Sequence, residues 1–264
     1  MKRMEKTALA TAAMALIAGM AHAETRVSVS SGVDYSSGDY GGVTDTEVIS
    51  VPLGVRVSNG DWTVRSSTPY LRVTGPADVA DIGEDGGAGG GGGAFVRTSD
   101  ESGIGDTTIA VTRAFRRLGG SNAYFEVNSR VRLPTGDEKK GLGVGATDYA
   151  LGGELGVTER GGGASIGVMR RFLGDRAGVE RVDGWQVNTS GWVRTGEKTT
   201  VGAFGSWREA ARAGRDDPSE VGAYVSHRLT DAWNVTLNAG AGLSDASADL
   251  TTGLRFTWRT NVDE

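Results

Sequence analysis

Read in alternation, the chain sets one row of charged side chains against an apolar row. Arg56, Arg65, Arg130, Arg132, Arg194, Arg228 and Arg255 fall on the polar row, with Asp34, Asp106, Glu126 and Glu154 among them. A guanidinium keeps its charge and presents a rigid fork of donors. A set of them around a shared space can therefore act in one of two ways. They can pair with the carboxylates into a satisfied polar filling, or they can line a passage whose fixed charge and width choose what goes through. A near-even mixture of signs makes a poor single-ion filter, which weights the expectation toward the paired filling.

Other chemistries find little support. Past the N-terminal segment the only histidine is His227, on the apolar row with Val221, Ala223, Val225 and Leu229; no Ser, Asp or Glu stands at a spacing that would make it a general base. One such His and no Cys leave no soft-metal set, so neither metal nor cofactor is expected. The tract Gly86 to Gly93 lacks the Gly-Lys-Ser/Thr of a phosphate loop, and Gly141, Gly143 and Gly145 lack the strand-turn-helix setting of a dinucleotide fingerprint. The tract is expected to be a flexible outer loop, with a partial plug as its second reading. The formal charge of −5 and the absence of a basic cluster argue against a nucleic-acid partner.

The elements that must position the charged row are strands. Residues 1–23 read as a cleaved signal peptide: Lys2, Arg3 and Lys6 precede an apolar run from Ala8 to Met20 that closes on Ala21-His22-Ala23. Its roughly 13 apolar residues would span only about 20 Å as a helix, short of a ~30 Å hydrocarbon core. Its removal takes three of the 28 basic and one of the 33 acidic residues, leaving the mature chain at −7.

From residue 24 to 264 no helical period stands out. Ala123, Phe125, Val127, Val131 and Leu133 oppose Tyr124, Glu126, Asn128, Arg130 and Arg132, and the pattern recurs in Trp233–Leu243 and Ala248–Trp258. Strands are expected near 25–35, 46–58, 61–73, 104–117, 122–133, 147–159, 163–173, 182–194, 198–208, 220–229, 232–243 and 247–259. Twelve is an even count, and the connections alternate between tight turns such as Asn59-Gly60 and long loops such as 74–103 and 134–146. Aromatics gather toward two rims, with Trp62, Phe115, Phe125, Trp233 and Trp258 at one and Tyr35, Tyr70, Tyr149, Phe172, Trp185 and Trp207 at the other. With 43 Gly and 38% hydrophobic residues there is little bulk for a large soluble core. The fold expected is all-β: a transmembrane up-and-down antiparallel β-barrel of about 12 strands in a Gram-negative outer membrane, its apolar face against outer-membrane lipid.

Three stretches carry a family resemblance. They are Val51-Pro52-Leu53-Gly54-Val55-Arg56 leading to Thr68-Pro69-Tyr70-Leu71-Arg72-Val73-Thr74-Gly75-Pro76; Ser102-Gly103-Ile104-Gly105-Asp106; and Arg132-Leu133-Pro134-Thr135-Gly136-Asp137 with Gly141-Leu142-Gly143-Val144-Gly145 and Asp148-Tyr149. Together they resemble the MetA-pathway phenol-degradation family of outer-membrane barrels. The likeness implies uptake of a small, aromatic or hydrophobic solute by passive passage, and it transfers no catalytic or ligand residue. The alternative is a scaffolding barrel with a filled interior that binds partners through its outer loops. Pro134 to Asp137 also read as the punctuation that ends a strand. The chain departs from the family in its Gly tract and in ending past Trp258, so Phe256 and Trp258 are the aromatics expected to meet the barrel assembly machinery.

Overall fold

The computed structural model describes residues 25–42, 44–75, 100–176 and 178–262. The expected signal peptide and the Gly tract at 86–93 lie outside them. Thirteen strands follow in order: β1 (Thr25–Gly38), β2 (Thr46–Asn59), β3 (Trp62–Thr74), β4 (Glu101–Ile104), β5 (Thr107–Arg116), β6 (Ala123–Leu133) and β7 (Asp148–Glu159) make the first half. β8 (Gly162–Phe172), β9 (Gly184–Arg194), β10 (Thr199–Arg208), β11 (Ser219–Arg228), β12 (Trp233–Gly242) and β13 (Leu250–Val262) complete it.

Every neighbour is antiparallel, and neighbours are consecutive except that β4 and β5 both pair with β3 and that β1 pairs with β13 as well as β2. The sheet is thus closed into twelve staves, the fourth of which is made of β4 and β5. Closure leaves no unpaired edge among the staves, which is what a sheet needs to sit in hydrocarbon. Most staves hold 10–14 residues, enough to cross a bilayer at a tilt.

The fourth stave differs from the unbroken strand expected over 104–117. Opposite it, Tyr70 pairs with Ile104 and Ser67 with Thr108, so three steps on β3 face four on its partner. One extra residue is inserted at Gly105-Asp106, a β-bulge. The bulge shifts the alternation and turns the Asp106 side chain inward. Gly105 accommodates it because a Cβ there would press on Leu71 and Pro69 side chains at 2.8–2.9 Å.

Alternation then sorts the faces. Outward residues are apolar and uncovered by protein, as with Leu53 at 59%, Leu155 at 53% and Leu237 at 56% exposure. In water such a continuous band would be strongly unfavourable, at roughly 25 cal/mol per Å²; against lipid it is the expected surface. Cross-strand aromatics brace the turn-side rim: Trp233 faces Trp258, and Phe115 stacks on Phe125 at 6.3 Å. Arg113 lays its guanidinium over Trp62 and Phe115, holding its charge at the interface.

A buried apolar cluster, Val48, Leu71, Val73 and Leu142, lies inside the barrel at the long-loop end. Val48, Leu71 and Val73 are inward residues of β2 and β3, whereas Leu142 comes from the loop between β6 and β7. That loop has folded into the lumen.

Candidate functional site

The loop 134–147 enters because its backbone is tied from several sides. Asp106, aimed inward by the bulge, accepts hydrogen bonds from Gly136 N (3.0 Å) and Val144 N (2.8 Å). Thr135 Oγ1 donates to Gly105 O at 2.9 Å and accepts from Thr107 N at 2.8 Å. Gly136 and Gly143 pack backbone to backbone, and a Cβ on either would collide with the other's Cα at 2.9 Å. The second and third motif stretches thus describe one object, a loop latched against the bulge.

An ion-pair cluster locks the same end. Asp148 lies between Arg132 and Arg181: Arg181 donates from Nη1 and Nη2 at 2.7 and 2.8 Å, and Arg132 donates from Nε at 3.1 Å and also from Nη2. All three side chains are at most 8% exposed. Gly174 N adds a bond to Asp148 Oδ1 at 2.9 Å, and Arg176 pairs with Glu138 at 3.2 Å, joining the 173–183 loop to the inward loop. The cluster leaves Asp148 no lone pair for a solute.

Below the loop lies a cavity of about 1050 Å³, lined by inward side chains of β1 to β3, β5 to β9 and β13. Six of the eleven charged residues expected on the polar row line it: Arg56, Arg65, Glu126, Arg130, Glu154 and Arg255. Arg194 and Arg228 stand instead at the turn-side mouth, around a separate space of about 340 Å³ shared with Lys198, Glu197 and Arg259. Asp106 and Arg132 are in the loop latch. Sequence reasoning overlooked Arg26 and Arg116, near a strand start and a strand end where alternation is hardest to read, and put Arg259 on the polar side of the last strand without naming it a lumen residue; all three also border the main cavity.

The charges are not evenly mixed. Of the acidic residues on the polar row, Asp106 is held by backbone donors and Asp34 by Arg255 at 3.1 Å. Among the described residues seven arginines border the main cavity against two carboxylates, Glu126 and Glu154, although Arg255 is paired with Asp34 and Arg116 with Asp61; Glu154 accepts from the Tyr124 hydroxyl at 2.9 Å. The expectation of a balanced lining is therefore corrected: loop insertion and local pairing draw much of the acid toward the outer end.

Inward aromatics do not obstruct the lumen, because each faces a glycine across the ladder. Tyr124 opposes Gly156, Trp192 Gly163, Phe204 Gly222 and Tyr224 Gly202. A Cβ at any of these glycines would strike its partner ring. The rings lie against the wall over the missing side chains, an arrangement that stacks well and keeps the bore open.

His227 points outward, its Nδ1 2.9 Å from Thr199 Oγ1. Among the described residues no group of three or more His, Asp or Glu is placed to hold a metal ion.

A closed twelve-stave barrel with a lipid-facing band and a polar interior defines the class: this is a Gram-negative outer-membrane β-barrel. The family model described as "Putative MetA-pathway of phenol degradation" matches residues 39–260, and the chain belongs to that family. Among solved structures, an outer membrane channel from Pseudomonas putida F1 is similar at 14% identity, with a TM-score of 0.60 over 90% of this chain and 96% of that one. A KdgM porin is similar at 8% identity and a TM-score of 0.54, over 88% and 98%. These likenesses concern the fold. No curated protein matches the sequence.

Proposed function

We propose that the barrel is a passive outer-membrane channel for a small solute, with aromatic compounds the favoured class. The observation that carries this reading is the polar cavity of about 1050 Å³ inside a closed wall, larger than a packed interior would leave. Arg56, Arg65, Glu126, Arg130, Glu154 and Arg255 would shape passage through the cavity, and Arg194 and Arg228 would shape its turn-side mouth. Asp106 and Arg132 would act at one remove, by fixing the loop that narrows the outer end. The aromatic preference is supported by family membership and by the four wall-lying rings, whose faces can stack on a flat solute. A solute without any polar group would gain little from this lining.

The alternative, a scaffold with a filled interior, draws on the inward loop and its latch, which fill the outer end only. Discrete openings in planar bilayers and swelling of proteoliposomes in small solutes are expected of the purified protein. Their absence from correctly folded barrel would refute the channel.

A further inference from the structure

We propose that the lumen selects small organic carboxylates, through facing arginines whose charge the surrounding carboxylates balance only in part. The inference rests on the channel reading above and names its solute class.

Its core is a cross-strand pair. Arg56 on β2 and Arg65 on β3 stand directly opposite each other in the ladder, and both border the main cavity. Two like charges in that relation oppose sheet pairing. Their hydrogen bonds go to neutral groups: Arg56 Nε donates to Ser58 Oγ at 3.4 Å, and Arg65 Nη2 to Thr112 Oγ1 at 3.3 Å. Long bonds to hydroxyls orient the guanidiniums without cancelling their charge, and Glu126, the carboxylate that attracts both, is shared with Arg116. Across the next stave Arg65 meets Ala110, which in turn pairs with Arg130, so a small residue keeps the space between two arginine positions clear.

A guanidinium fork matches a carboxylate bidentately, and two forks at one level give an anion somewhere to pause without enclosing it. The cavity has the volume of a small-molecule site, so the anion it admits can be organic. The path continues with the same sign, since Arg194, Lys198, Arg228 and Arg259 surround the turn-side mouth, with Glu197 their one acidic companion among the described residues. A lining of one sign between low-dielectric walls raises the local concentration of counter-ions.

The test uses the full mature barrel in planar bilayers under a KCl gradient, together with proteoliposome uptake of benzoate, benzyl alcohol and benzylamine, three probes of similar size and different charge. The zero-current potential is expected to report chloride preferred over potassium. Benzoate is expected to enter about tenfold or more faster than protonated benzylamine. Arg56→Gln with Arg65→Gln should move the potential toward zero and shrink the benzoate advantage, while Arg56→Lys with Arg65→Lys retains most of the chloride preference. Heat-modifiable migration on gels establishes that each variant is folded. Potassium preference, equal entry of benzoate and benzylamine, or a folded Gln pair with unaltered selectivity overturns the inference while leaving a channel standing. No openings from folded wild-type protein would sink the channel reading itself.

Discussion

Asp148→Asn isolates the role of the outer-end ion cluster. The substitution keeps the side-chain shape and one oxygen but removes the charge that two guanidiniums share. Arg132 and Arg181 are 8% and 4% exposed, so neither can turn to water in place. Breaking one buried ion pair costs about 3–5 kcal/mol. The wall is held by ladders on either side of β7, so the loss falls on the docking of loops 134–147 and 173–183. At about 1.4 kcal/mol per tenfold, their undocked population should rise between about 10² and about 4 × 10³-fold. Trypsin reads that population, since Arg176 and Arg181 are buried cleavage sites that open only with the loop. Cleavage after Arg176, followed by mass spectrometry, should accelerate accordingly while the barrel stays heat-modifiable. An unchanged cleavage rate would refute the assignment of the cluster as the lock on these loops.

Other expectations follow from the same geometry. Asp106→Ala deprives two loop N–H groups of their acceptor, at about 1–3 kcal/mol each, so loop 134–147 should withdraw and single-channel conductance increase; equal conductance would show that the loop does not narrow the path. Gly202→Val forces the Tyr224 ring off the wall, costing about 1–3 kcal/mol of stability by overpacking and lowering conductance. Tyr40, buried in the loop after β1 with its hydroxyl 2.9 Å from Ser36 Oγ, has its phenol pushed up to about 12, chiefly by burial. Because the folded value lies above the ordinary 10, its contribution is complete below pH about 10 and lost as pH rises through about 12. The difference in ultraviolet phenolate titration between wild type and Tyr40→Phe should therefore appear near pH 12, and a difference centred at 10 would contradict the burial.

The staves were legible because each must alternate between lipid and lumen, and Leu53, Leu155 and Leu237 obey that rule without exception from tertiary packing. The bulge at Gly105-Asp106 was not, since one inserted residue changes the phase of a pattern whose only signal is phase. The short β4 lay hidden in the 74–103 connection for the same reason. Charge balance was misread because summing signs along strands ignores what loops contribute. Arg181, Arg176 and Glu138 come from loops, and they settle how Asp148 and its neighbours are paired. The inward loop likewise carried its signal in Pro134 to Asp137 and Gly141 to Gly145, which read locally as turn chemistry. Their second purpose depends on Asp106, some 30 residues upstream.

The seam between β1 and β13 has a consequence for how the molecule comes into being. Thirteen residue pairs from Thr25–Val262 to Ser37–Leu250 join the two ends of the chain, whereas every other joint is made between neighbours in sequence. Hairpins can accumulate one after another as the polypeptide is delivered, but the first and last ribbons meet only once everything between them is laid down. Until then the growing sheet carries two raw margins of amide and carbonyl groups that hydrocarbon cannot satisfy. Completion is therefore all or nothing. A chain shortened by its final ribbon has no smaller cylinder to settle into, whereas one nicked in an outer loop retains every joint.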